Sequence, residues 1–121
     1  MATVGYFEGT DPVILTRLAA KGVGTLPLNN GSDMHGKYVA HLTREDGVSV
    51  VVGYLHKVLP AKDAAVAPRI LSACITHEIP VLLVAEKSFH DAARDRLGEM
   101  QDRVKLVDPA DLYDAILAVI G

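Results

Sequence analysis

VSVVVGYLHKVLP, Val48 to Pro60, decides how the chain folds. An apolar, β-branched run climbs to Gly53 and Tyr54, turns polar at His56 and Lys57, and meets a stop at Pro60. A run apolar on both faces reads as a strand covered on both sides, as in the middle of a parallel sheet. Its polar carboxyl end then falls where open α/β sheets receive ligands.

Working outward, Ala2 to Phe7 reads as a first strand, closed by Glu8-Gly9. Thr10-Asp11-Pro12 marks a helix start, because aspartate caps free amides and proline at the first helical position lacks only an amide the helix does not use. Ile14, Leu15, Leu18 and Ala19 follow at helical spacing, and Gly22 ends the helix. Val23 to Leu28 is a weaker strand whose Pro27 belongs at a sheet edge. Asn29-Asn30-Gly31-Ser32 is a loop. Met34, Tyr38 and Leu42, four apart, predict a helix over Asp33 to Arg44, before Asp46-Gly47 turns into the central strand.

Beyond Pro60, Pro68 opens a helix striped by Ile70, Leu71, Cys74 and Ile75. Ile79 to Ala85 is a second doubly apolar strand. Phe89, Ala93, Leu97 and Met100 mark the next helix, and Val104 to Val107 a last strand. Asp108-Pro109 repeats the cap-then-proline device ahead of a closing helix through Leu112, Ile116, Leu117 and Ile120. Strand and helix alternate five times with short connections, so the expectation is α/β: one domain, residues 1 to 121, with a single five-stranded parallel sheet in the order 2-1-3-4-5 and helices on both faces.

Composition narrows the classes of function. The 121 residues are 50% hydrophobic and only 5% aromatic, so Ala, Val, Leu and Ile fill the core. A net charge of −3 with no Lys/Arg cluster argues against nucleic acid as partner. No stretch is long and apolar enough to span a bilayer, and the start MATVGYFEGTD lacks a signal-peptide pattern. A soluble cytoplasmic protein without membrane contact is expected. One cysteine, Cys74, allows no internal disulfide, and its place in an apolar stripe assigns it to the core.

In this architecture the helices begin at the carboxyl ends of the strands. The turns at 8–12, 29–36, 56–62, 86–90 and 108–111 therefore share one rim. The strand order reverses between the first and third strands, opening a crevice. Glu8, Thr10 and Asp11 line one wall and His56 and Lys57 the other. A carboxylate facing an imidazole and an ammonium suits acid–base work, which makes Glu8 and His56 the catalytic candidates. Asp11 is adequately explained as a helix cap, and so is Asp108.

Amide, hydroxyl and carboxylate groups at Asn29, Asn30, Ser32 and Asp33 suit a ribose or other sugar, although the same residues serve turns. His35, Lys57, Glu86 and Ser88 complete the candidate ligand-binding set. His35, His56 and His90 share the rim, but three separate loops give no ligand spacing, so no metal is expected. His77 belongs at the far end of its helix and His41 on a solvated face. There is no GxGxxG or P-loop and no nucleophile-elbow motif, and two acids open the first helix, so neither cofactor nor phosphate cradle is expected.

The strand and helix order is similar to the flavodoxin-like superfold. A response-regulator receiver would place an aspartate at the end of the central strand, where this chain has Leu55-His56-Lys57. VGYFEG, SVVVGYLH and HEIPVLLVAE also resemble the nucleoside deoxyribosyltransferase-like group. That resemblance implies chemistry on nucleosides, with a nucleophilic glutamate in the helix after the central strand. Here that region reads APRILSACITHE, with Arg69 and Ser72 where the glutamate belongs. Glu8 or Glu86 would have to substitute.

Two readings follow. One is a polar, hydroxylated metabolite (nucleoside, nucleotide or sugar derivative) bound at the rim, with Glu8 and His56 available for acid–base catalysis. The other is a non-enzymatic binding, regulatory or assembly subunit, whose Ala/Val-rich helix faces favour a homo-oligomer.

Overall fold

The computed structural model describes residues 2–30, 36–58 and 70–121. Six strands form one all-parallel sheet: β1 (Thr3–Phe7), β2 (Gly24–Asn29), β3 (Lys37–Tyr38), β4 (Val48–Tyr54), β5 (Val81–Val84) and β6 (Lys105–Val107), in the spatial order β3-β2-β1-β4-β5-β6. Helices α1 (Pro12–Ala20), α2 (Ser72–Thr76), α3 (His90–Leu97) and α4 (Leu112–Ile120) cover it. The expected count of five strands is corrected to six, since a two-residue strand adds to the edge beyond β2. The α/β class stands, and the sheet is compatible with a flavodoxin-like arrangement.

β4 lies between β1 and β5, as its apolar run demands. It pairs Val50, Val51 and Val52 with Val4, Gly5 and Tyr6 on one side, and Val51 to Tyr54 with Val81 to Val84 on the other. Alternation sorts its side chains onto two cores. Val51 joins Phe7, Leu28, Leu71, Cys74, Leu83 and Met100. Val50 and Val52 join Val4, Ile14, Leu18, Leu82, Tyr113 and Ile116 on the other face. α1 and α4 therefore pack on one side of the sheet, and α2 and α3 on the other. Arg17 of α1 lies over the Tyr113 ring of α4, 3.6 Å from its centroid, which joins the two helices at their outer edge.

The helix expected over 33–44 does not form across the described part of that segment. After Gly36 the chain makes β3, a 3-10 turn at Val39–His41 and another at Arg44–Asp46. Pairing overrides spacing here: Lys37 and Tyr38 align with Leu28 and Asn29. Gly36, at φ 71°, passes so close to the Pro27–Leu28 backbone that a Cβ would overlap it. The second turn is held by a capping box between Thr43 and Asp46, closed by Gly47 in the left-handed region. Lys37 Nζ donates to Asp46 across 2.7 Å. Leu42 still reaches the core, only 2% exposed, but from an extended backbone rather than a helix. His41 is exposed as expected, though on a 3-10 turn, with its ring edge-on to Tyr38 at 4.9 Å.

Two smaller expectations change. Spacing places Phe89 in the apolar stripe of its helix, yet it is 59% exposed in a 3-10 turn before α3, while Ala93, Leu97 and Met100 are buried. Pro27 is expected at a sheet edge; β2 lies one strand in, with β3 paired to its last two residues, Leu28 and Asn29, and not to Pro27.

α1 and α2 end by the same device. Val23 N–H donates to Leu18 O and Gly22 N–H to Ala19 O; Ile79 N–H donates to Cys74 O and Glu78 N–H to Ile75 O. Both are Schellman closures, which require a left-handed residue. Gly22 supplies it freely at φ 81°, whereas Glu78 adopts φ 54° against its own Cβ. Glu78→Gly is therefore expected to stabilise the fold by about 1 kcal/mol, read as a higher urea midpoint with unchanged m-value.

Cys74 is 1% exposed, as its place in the stripe predicts. Burial pushes its thiol up to about 11. Alkylation of native protein at pH 8 should run on the order of a hundredfold slower than in denaturant, because so little thiolate forms. None of the described helices is long and apolar enough to cross a membrane.

Candidate functional site

The turn after β1 is built by Thr10. Its hydroxyl donates to Phe7 O at 2.7 Å and its amide to the same oxygen at 3.3 Å. Thr10 is buried, so this candidate secures the turn from within. Asp11 accepts from Val13 N–H at 2.9 Å and caps α1, with Pro12 in the first helical position. Between strand and cap, Glu8 and Gly9 project as the exposed tip. Among the described residues the Glu8 carboxylate makes no hydrogen bond or ion pair.

The tip of β4 faces that turn. The strand ends at Tyr54 and passes into a 3-10 turn, Leu55–Lys57, before Val58 returns to the core. Exposed His56 stacks on Tyr54, ring centroids 5.8 Å apart and planes 21° from parallel. A Cβ on Gly9, which sits at φ 88°, would lie 3.9 Å from both Lys57 Cε and Tyr54 Cδ2. The first turn and the central strand's tip are thus in van der Waals reach.

Asn30 brings in a third segment. Its side-chain amide donates to Lys57 O at 2.8 Å across 27 residues of sequence. Asn29, half-buried at the end of β2, pairs with Tyr38 of β3. Glu8, Gly9, Asn30, Tyr54, His56 and Lys57 therefore gather around the ends of β1, β2 and β4. Ser32, Asp33 and His35 lie outside the described residues.

Glu86 and Ser88 belong to a different grouping. Asp108 accepts from Lys87 N–H and Ala110 N–H, each at 3.0 Å, tying the turn after β5 to the one after β6. Exposed Glu86 and Ser88 ride on that pair of turns, and among the described residues no hydrogen bond or ion pair joins them to the β1–β4 group. His90 sets a ring nitrogen 2.7 Å from Ala85 O, which anchors it to the end of β5. No group of three or more His, Cys, Asp or Glu residues is gathered to hold a metal among the described residues.

The hydrogen bond from Lys87 N–H, then that from Ala110 N–H, holds the Asp108 carboxyl below its ordinary value. The Lys37 ammonium, then the Thr43 amide, does the same for Asp46. A lowered folded pKa gives stability that is present above the ordinary value of 3.8 and is lost as pH falls through the lower folded value. Acid titration followed by circular dichroism should show this loss below about pH 4, and Asp46→Asn or Asp108→Asn should flatten it.

Sequence reasoning missed Tyr54 and Gly9. An aromatic residue immediately before Leu55-His56 was a usable signal, because a ring at a strand's ligand end offers a stacking face. Gly9 reads only as a turn residue, since nothing local tells that Lys57 and Tyr54 lie against it. Val13, Phe89 and Val119 are the exposed large apolar residues among those described. They sit at the start of α1, before α3 and at the end of α4, in three separate places rather than one patch. Isolated apolar surface residues of this kind are ordinary.

The chain matches no protein-family model, and no curated protein matches it. These comparisons therefore lend no support to the resemblance to the nucleoside deoxyribosyltransferase-like group.

Proposed function

We propose that this α/β chain binds a small polar, hydroxylated metabolite (a nucleoside, nucleotide or sugar derivative) at the sheet rim between the ends of β1 and β4. The observation that carries the reading is the meeting of three segments there: Gly9 against Tyr54 and Lys57, and Asn30 bonded to Lys57 O. Residues distant in sequence converge at a topological switch point, the usual ligand position in open α/β sheets. Glu8 supplies an acceptor for ligand hydroxyls and the His56–Tyr54 pair a flat face for a ring. Asp11 already occupies an amide at the start of α1, where a phosphate would otherwise seat.

Glu8 and His56 are also the pair that would move protons if the bound molecule reacts. The test is a thermal-shift panel of nucleosides, nucleotides and sugars on the full chain. At least one of these ligands should raise the melting temperature in a saturable way. A panel without any shift at millimolar concentration overturns the proposal and favours the non-enzymatic assembly subunit, which light scattering would then test.

A further inference from the structure

At the opposite end of the sheet, beneath the start of β5 and β6, lies a cavity of about 280 Å³ that the rim site does not use. That is the volume of roughly nine liquid waters. Its deepest residues are apolar and buried: Leu71, Cys74 and Met100 are all under a tenth exposed. Its mouth carries exposed charges of both signs, Glu78 and Asp102 with Arg103. Among the described residues none of these three side chains enters an ion pair or hydrogen bond.

The backbone supplies a second observation. Glu78 occupies the left-handed position where glycine closes a helix at lower cost, and this strained residue stands at the cavity mouth. Strain of this kind collects where a side chain is needed for a task other than folding.

We infer that this cavity binds a free apolar α-amino acid. The buried floor takes the side chain, Arg103 the carboxylate, and Glu78 with Asp102 the ammonium. A purely apolar molecule would gain nothing from the charged mouth, and a ligand of one sign would meet a like charge there. A zwitterion with an apolar side chain answers floor and mouth together. This site is separate from the crevice at the other end of the sheet, so it stands or falls independently of the function proposed above.

Calorimetric titration of the full chain tests it. The ligands are L-leucine, L-methionine and L-phenylalanine, beside 4-methylpentanoate and 3-methylbutylamine, which keep the leucine skeleton but lack the ammonium or the carboxylate. Saturable binding of at least one amino acid is expected, with each half-molecule about tenfold weaker than leucine or than the tightest amino acid. Arg103→Gln should weaken the amino acid about tenfold and leave 3-methylbutylamine unchanged. Glu78→Gln, which keeps the strained backbone, should do the converse and spare 4-methylpentanoate. Cys74→Leu should abolish binding by filling the floor; because a core substitution can unfold the chain, the two surface variants are the deciding ones. No saturable heat at millimolar ligand, a half-molecule binding as tightly as the amino acid, or surface variants that bind like the parent would each overturn the inference.

Discussion

Gly53→Ala is expected to cost about 3 kcal/mol of folding stability, a large share of what a domain this size possesses. The new Cβ would sit 2.6 Å from Phe7 Cδ2 and 3.0 Å from Phe7 Cβ. Phe7 has no room to yield, since it is 0% exposed on β1 and packed among Leu28, Val51 and Leu83. Alanine recovers only about 0.4–1 kcal/mol by restricting the unfolded chain, so the clash wins. The loss should appear as a lower urea midpoint with unchanged m-value. Phe7→Ala, although itself destabilising, removes Cδ2 and Cγ, two of the three Phe7 atoms the new Cβ would meet. In that background Gly53→Ala should cost at least about 1 kcal/mol less than in the parent. Simple additivity of the two changes would mean that β1 and β4 do not meet with this register.

Glu8→Gln and His56→Ala should do the opposite: leave stability almost untouched and weaken ligand binding. Both side chains are exposed and lie outside the two cores, so each change should fall within about 0.5 kcal/mol in ligand-free protein. A ligand at a hundred times its Kd stabilises the parent by about 2.7 kcal/mol. Losing a charged hydrogen bond at Glu8 should weaken binding tenfold or more, which removes about 1.4 kcal/mol of that gain. Thr10→Val serves as the contrasting control. It deletes the buried hydroxyl bond to Phe7 O and should lower stability in the presence and absence of ligand alike. Parent-like ligand stabilisation in Glu8→Gln and His56→Ala together would remove both residues from the site.

What is legible in the chain divides by the range of the forces involved. The runs at Val48–Tyr54 and Val81–Val84 are largely apolar on both faces, which suits strands of a parallel sheet covered by helices on each side. Asp11-Pro12 and Asp108-Pro109 announce helix starts through local hydrogen bonds that the structure contains. The segment after Gly36 is different. Its Tyr38 and Leu42 keep helical spacing, but a parallel pairing with Leu28 and Asn29 and an ion pair from Lys37 to Asp46 prevail. Neither partner is a near neighbour in sequence, so no local pattern discloses them. Phe89 likewise matches a stripe, but α3 begins one residue beyond it and leaves the ring in solvent.

The candidate site is legible to the extent that it follows from topology. The expectation that the turn after β1 and the tip of β4 share one end of the sheet needs only that those two parallel strands be neighbours, and they are. The bond from Asn30 to Lys57 O and the stack of His56 on Tyr54 depend on side-chain reach, which spacing does not encode. Glu86 and Ser88 enter the candidate set because they share the rim. Asp108 instead draws their turn toward β6.

If the crevice between the ends of β1 and β4 is where this protein meets its ligand, the amides around it must respond when the ligand binds. Amide chemical-shift mapping, with whichever panel member stabilises the chain most, reads this directly. Saturable shifts are expected at Glu8, Gly9, Asn30, Tyr54, His56 and Lys57, with the β5–β6 turns and the opposite end of the sheet unmoved. Shifts that cluster elsewhere while those six residues stay still would contradict the assignment of the site.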